Sequence, residues 1–279
     1  MRQWIFALLA AAMLSPASLA QLRHETVTAG LEFPWSLAFL PDGRVLVTEK
    51  PGRLRLVENG VLRAEPVSGV PEVLFSGQGG LLDVVLHPDF ASNHLVYLTW
   101  SEGSSRDNTL RLGRGRLEGD VLVDFEAIFT AQPRRDTDVH YGARLAFLPD
   151  NSILLGIGDG FDYREEAQRA ASHFGSYVHL REDGSPVASP FPDAAPGVYT
   201  IGHRNPQAIT VDPVTGIVYS NEHGPRGGDE INILVEGRNY GWWRPMASTT
   251  PARWSRPIPA IPAWKSPCST GCPRSRHRA

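Results

Sequence analysis

Leu145-Ala146-Phe147-Leu148-Pro149-Asp150-Asn151, followed by Ile153-Leu154-Leu155, decides the fold, because its pattern occurs four times in the 279-residue chain. The other copies are Leu37-Ala38-Phe39-Leu40-Pro41-Asp42-Gly43 before Val45-Leu46-Val47, Val84-Val85-Leu86-His87-Pro88-Asp89 before Leu95-Val96-Tyr97-Leu98, and Ile209-Thr210-Val211-Asp212-Pro213 before Ile217-Val218-Tyr219. Each reads as a β-hairpin in which Pro fixes φ and Gly or Asn accepts the unusual turn angles. The four prolines fall 47, 61 and 64 residues apart. One hairpin per interval, with room for two more short strands, predicts an all-β chain forming a β-propeller, whose blades take about 40 to 50 residues before loop insertions. A β-sandwich would space its strands about 8 to 12 residues apart without so long a repeat. Residues 165–171 alone invite a helical reading, and at that length they read as a loop turn.

Working outward, polar clusters stand just before successive hairpins: Gly77-Gln78-Gly79-Gly80, His140-Tyr141-Gly142-Ala143-Arg144 and Gly202-His203-Arg204-Asn205-Pro206-Gln207. Equivalent positions on successive blades bring Gln78, His140, Arg204 and Asn205 to one end of a propeller channel. Taken singly, a loop His is more often a surface residue than a catalyst. Together, a base, amides and a guanidinium suit a planar, anionic ligand. Gly158-Asp159-Gly160 ends the third hairpin, where Asp159 could orient His140. Glu222-His223-Gly224-Pro225-Arg226-Gly227-Gly228-Asp229-Glu230 offers hard oxygen ligands suited to Ca²⁺. It reads equally as a solvated acidic turn, because spacing does not show that the oxygens converge.

Composition limits the remaining classes. Lys and Arg number 27 against 30 Asp and Glu, with two cysteines, which excludes a bulk-charge nucleic-acid binder and a disulfide-built mini-protein. The balance is uneven: residues 1–242 hold 20 basic and 30 acidic side chains, residues 243–279 seven basic and none acidic. Arg2, the apolar run from Trp4 to Leu14 and Ser18-Leu19-Ala20 form a secretory signal-peptide pattern over residues 1–20, with Gln21 as the first mature residue. The run is too short for a membrane anchor, which needs about 20 apolar residues. The expected location is therefore periplasmic or secreted, with no membrane span after cleavage.

The stretch Gln78-Gly79-Gly80-Leu81-Leu82-Asp83, the run from His140 to Leu148, the run from Gly202 to Gln207, and the run from Glu222 to Glu230 with Asn239-Tyr240-Gly241-Trp242 together resemble the soluble pyrroloquinoline quinone (PQQ)-dependent sugar dehydrogenases, the glucose/sorbosone dehydrogenase family. The likeness runs in order from about Pro34 to Trp242. It implies a six-bladed propeller of which about four blades are present, and oxidation of the anomeric hydroxyl of an aldose to a lactone with PQQ held over Ca²⁺. By that resemblance His140 is the general base and Asp159 orients it. Gln78, Arg204 and Asn205 hold PQQ, with Arg204 also facing charge that develops on the quinone oxygen. Gly224 and Pro225 give backbone carbonyls to Ca²⁺, and Glu230 and Tyr240 match a second calcium position. The sugar, the electron acceptor and the oligomeric state are not specified.

After Trp242 the family motifs stop. With freely chosen codons and one added base, Gly241 to Arg253 can be read as Gly-Trp-Val-Ala-Thr-Tyr-Gly-Ile-Asp-Tyr-Ser-Gly-Ala, the segment the family carries there. Residues 264–279 yield a second family-like run in the same frame. Residues 243–279 are thus expected to be a frameshift product, disordered, in which Cys268 and Cys272 need no function. Two other readings stay open: an exported propeller that binds without catalysis, and a truncated, inactive chain.

Overall fold

The computed structural model describes residues 24–242, so the expected leader of residues 1–20 and the basic segment 243–279, with Cys268 and Cys272, lie outside the described residues. Fifteen strands form four antiparallel sheets in strict chain order. The first holds β1 (Pro34–Phe39), β2 (Val45–Glu49), β3 (Arg53–Glu58) and β4 (Val61–Leu62). β5 (Leu81–Leu86), β6 (Leu95–Ser104), β7 (Asp107–Glu118) and β8 (Val121–Thr130) build the second. The third is β9 (Gly142–Phe147), β10 (Ile153–Ile157), β11 (Ser176–Leu180) and β12 (Val198–Ile201); the fourth is β13 (Pro206–Val211), β14 (Val218–Glu222) and β15 (Glu230–Leu234). These are four propeller blades, and the repeated Pro-Asp segments form their first hairpins.

The turn residues explain the hairpins. Gly43, Asn151 and Gly216 take φ of 89°, 65° and 70°, where a glycine or asparagine is tolerated. The second hairpin differs from the simple turn expected: a one-turn helix, α1 (Phe90–Asn93), fills the connection and His94 closes it at φ 56°. The segment read as a loop turn carries one 3-10 turn over Arg164–Gln168.

The first strands β1, β5, β9 and β13 lie side by side. Three apolar layers fill the spaces between blades: Leu46, Leu56, Leu81 and Trp100 between the first and second, Tyr97, Leu112, Leu145 and Ile153 between the second and third, Leu154, Tyr177 and Val218 between the third and fourth. Arg144 on β9 joins all four first strands. Its guanidinium donates to Asp83 Oδ1 of β5 (3.0 Å), Ser36 Oγ of β1 (2.8 Å) and the Gln207 carbonyl of β13 (2.9 Å), and lies 3.9 Å from the Trp35 ring. Burial pushes the Asp83 carboxyl up, and Arg144 opposes that shift.

Beyond β15 the chain returns to the third blade. Ile201 N–H donates to the Arg238 carbonyl (3.0 Å), Tyr240 N–H to Ile201 (2.9 Å) and Trp242 N–H to Gly202 (2.9 Å). These bonds carry Asn239 to Trp242 back toward the loops that precede the blades.

Candidate active site

His140 ends the loop before β9 at φ 52°, a left-handed conformation unusual for a side chain of this size. Three contacts fix it. Its N–H donates to Gln78 Oε1 (2.7 Å), its carbonyl accepts from buried Arg135 Nη1 (3.1 Å), and the Gly158 backbone lies so close that a Cβ there would fall 2.1 Å from that carbonyl. Gly158 is therefore required as glycine by a close approach. Arg135 stacks 3.8 Å from the Tyr141 ring, and burial pushes its pKa down.

His140 Nδ1 is 2.7 Å from Asp159 Oδ1, with both side chains buried. A carboxylate only accepts, so Nδ1 is the donor, and in the neutral imidazole this tautomer leaves the lone pair on Nε2. Among the described residues no hydrogen bond engages Nε2. Asp159 is itself fully held: Oδ1 also accepts from Phe161 N–H (2.8 Å), Oδ2 accepts from the Trp242 indole (2.6 Å), and its own N–H donates to the Arg204 carbonyl (2.8 Å).

Gln78 and Asn205 both bond to the backbone around the start of β9, and the Arg204 carbonyl accepts from Asp159 N–H. Asn205 Oδ1 accepts from Gly142 N–H (3.2 Å), which ties the loop before the fourth blade to the start of the third. Arg204 donates through Nη1 to the His223 carbonyl (3.0 Å) and lies 5.3 Å from the Trp242 ring. Behind it, buried Glu222 accepts from Arg204 N–H (2.6 Å) and pairs with His203 Nδ1 (2.9 Å), and the His203 ring stacks on Tyr240 at 4.5 Å. A cavity of about 160 Å³ opens among Trp35, Lys50, Gln78, Tyr141, Asn205 and His223.

The four residues expected to face calcium are placed differently. Gly224 and Pro225 lie in a tight loop, with Gly224 N–H bonded to Asp229 Oδ1 (3.0 Å) and the Pro225 carbonyl accepting from Gly228 (2.7 Å). Glu230 and Tyr240 are not joined by any bond among the described residues. Glu230 accepts from Asn232 (3.2 Å), whereas the Tyr240 hydroxyl donates to the Ile233 carbonyl (2.6 Å) and accepts from Val235 N–H (2.9 Å). Among the described residues no group of three or more His, Cys, Asp or Glu side chains is placed to hold a metal.

Sequence reasoning missed Arg135 and Lys50 as parts of this site, and it placed Glu222 and Trp242 within motifs without giving either the role seen here. Lys50 donates to the Gly77 carbonyl (2.8 Å), and burial pushes its pKa down against the pull of Asp138. Trp242 was visible within Asn239-Tyr240-Gly241-Trp242, but a contact 83 residues away in sequence has no spacing signature.

The profile of the glucose/sorbosone dehydrogenase family matches residues 31–263. The match runs 21 residues past Trp242, so the resemblance does not end there as sharply as the motifs indicate. Aldose sugar dehydrogenase YliI of Escherichia coli is 40% identical over 240 residues, covering 83% of this chain and 64% of that protein. An apo crystal structure of the E. coli aldose sugar dehydrogenase superposes with a TM-score of 0.74 at 40% identity, over 78% of this chain and 65% of that one. The PQQ-bound aldose sugar dehydrogenase of Streptomyces coelicolor gives 0.67 at 34% identity, over 78% and 64%. The chain thus spans just under two thirds of the length of the curated relatives it matches, 64% of the E. coli protein and 65% of an uncharacterized Synechocystis protein. Four propeller blades, a buried His140–Asp159 pair and a family match across most of the sequence agree: the chain belongs to the glucose/sorbosone dehydrogenase family.

Proposed function

We propose that this chain carries the base and part of the cofactor shell of a PQQ- and Ca²⁺-dependent aldose dehydrogenase, which oxidises an anomeric hydroxyl to the lactone. The observation that carries the reading is the buried His140–Asp159 pair with Nε2 open, beside amide and guanidinium donors. The donor set fits an anionic, acceptor-rich quinone. Gln78 Oε1 and Asn205 Oδ1 are used by backbone N–H groups, so their amide NH₂ groups face no protein acceptor among the described residues. Arg204 commits only Nη1 to a protein acceptor. Gln78, Asn205 and Arg204 would therefore hold PQQ, and the carbonyls of Gly224 and Pro225 would supply hard oxygens to Ca²⁺. For the second calcium position Tyr240 has only its backbone carbonyl to offer, since its hydroxyl is already used.

PQQ, when bound, supplies the two-electron acceptor, polarised by calcium. His140 Nε2 takes the proton of the anomeric hydroxyl while Asp159 holds the ring in the required tautomer and stabilises the imidazolium. Arg204 presents positive charge where negative charge develops. Trp242 and the Phe161 N–H keep Asp159 aimed at Nδ1 rather than at solvent.

The test is reconstitution with PQQ and Ca²⁺ followed by dye reduction with an aldose. His140→Ala is expected to abolish turnover while PQQ still binds, and removal of Ca²⁺ by chelation is expected to abolish it too; turnover unchanged by His140→Ala overturns the reading. Export through the residue 1–20 leader and a frameshift after Trp242 belong to the same proposal. A TGGTGG run in the gene keeps the frameshift, TGGGTGG shows an intact reading frame, and codons that cannot give Thr-Tyr-Gly-Ile downstream refute it.

A further inference from the structure

Phe161 is not accounted for by the roles above or by packing. It follows Gly160 at φ 68°, a conformation that β-carbon-bearing residues avoid, and its side chain is left 47% exposed rather than added to an apolar layer. Its ring meets the His140 imidazole edge-on, with centroids 5.2 Å apart and planes at 83°. The backbone is pinned there by the bond from Phe161 N–H to Asp159 Oδ1 (2.8 Å), so the group that aims the base also aims the aromatic ring. The Arg164 guanidinium lies 5.4 Å from the same ring. Other exposed aromatics have different surroundings: Phe33 and Phe75 pack on each other at 5.6 Å, with Lys50 over Phe75, and Phe39 lies on β1.

We propose that Phe161 is a sugar-stacking platform, a substrate subsite on which the apolar C–H face of a pyranose lies while its anomeric hydroxyl reaches His140 Nε2. The inference rests on the aldose reading and adds to it the residue that receives the C–H face of the sugar. A pyranose is amphipathic: one face is a patch of C–H groups and its rim is hydroxyls. Burying the C–H patch on an exposed aromatic removes apolar surface from water on both sides. The hydroxyl rim then meets the open imidazole nitrogen, and because the Arg164 guanidinium lies over one face of the ring, the sugar takes the other. A linear polyol such as sorbitol has no rigid C–H face and gains little from the platform.

The experiment is ligand-observed NMR titration of the chain with D-glucose and with D-sorbitol. Phe161→Gly suits the left-handed backbone and so preserves the fold, which thermal melting by circular dichroism checks, and Phe161→Trp keeps an aromatic face. Glucose binding is expected to weaken about tenfold in Phe161→Gly and to hold within about threefold in Phe161→Trp, with saturation transferring from aromatic protons to the sugar C–H protons. Sorbitol binding should change little. Equal glucose affinity in the wild type and Phe161→Gly overturns the platform while leaving the aldose reading standing. Absence of glucose binding by the wild-type chain overturns both.

Discussion

His140 and Phe161, the two side chains that meet at the mouth of the site, both sit on left-handed backbone, and one carboxylate, Asp159, bonds to the imidazole of the first and the N–H of the second. A single acidic residue therefore sets the tautomer of the base and the position of its neighbour. Asp159→Asn should keep the fold yet present an amide to Nδ1, lowering kcat of the reconstituted enzyme by a factor on the order of 10³–10⁴, as loss of the orienting carboxylate does in comparable triads. Trp242→Phe removes the donor to Asp159 Oδ2. Losing a hydrogen bond to a buried charged acceptor should destabilise the chain by about 1.5–3 kcal/mol, measured by urea unfolding. An unchanged midpoint would show that Oδ2 finds another donor. The pairing of His140 with Asp159 was legible because Gly-Asp-Gly ends the hairpin that follows the His. Arg135 was not, because it acts through the His140 carbonyl, and backbone contacts leave no residue-type signature in a sequence.

At the scale of elements, the first hairpins of the first and third blades were legible since Pro-Asp followed by Gly or Asn marks their turns, whereas α1 fills the second connection and the fourth has Asp212-Pro213 with Gly216 three residues on. The outer strands were not: β7 and β8 carry charged residues on exposed positions, and β4 is two residues long, so neither gives a clean alternation. The third blade also contains a pH dependence that no motif announces. His173 Nδ1 accepts from Gln132 N–H (3.0 Å) and Nε2 donates to the Pro196 carbonyl (3.0 Å), so the buried ring is fitted to its neutral form. Burial pushes its pKa down, and does the same to half-buried His179 on β11. A histidine whose folded pKa lies below its unfolded value of about 6.5 takes up protons preferentially in the unfolded chain. Stability is then full above about pH 6.5 and falls as pH drops below it. Urea midpoints should be lower at pH 5.5 than at pH 7.5, with a smaller difference in His173→Gln; equal midpoints in the wild type would contradict this.

On the scale of the whole molecule, the blades are held by apolar layers between them and by Arg144 at the first strands. Arg144→Met leaves Asp83 buried without its cation and should cost about 3–5 kcal/mol of stability by chemical denaturation. Arg144→Lys should recover little of this, because one ammonium cannot span Asp83, Ser36 and the Gln207 carbonyl together. The first and fourth blades have faces without a neighbour among the described residues. Phe39 on β1 is 72% exposed and Ile231 on β15 82%. Exposed apolar side chains of this size favour association, so the chain should bind a hydrophobic dye, and a Phe39→Ser, Ile231→Ser variant should bind it less. The central claim is that His140, held by Asp159, is the base of a PQQ-dependent aldose oxidation. It is tested most directly by dye reduction with D-glucose after reconstitution with PQQ and Ca²⁺, comparing the protein carrying the proposed downstream frame with its His140→Ala variant while PQQ binding is followed by absorbance. The account predicts turnover only in the protein that retains His140, with PQQ bound by both; equal turnover in the two would contradict it.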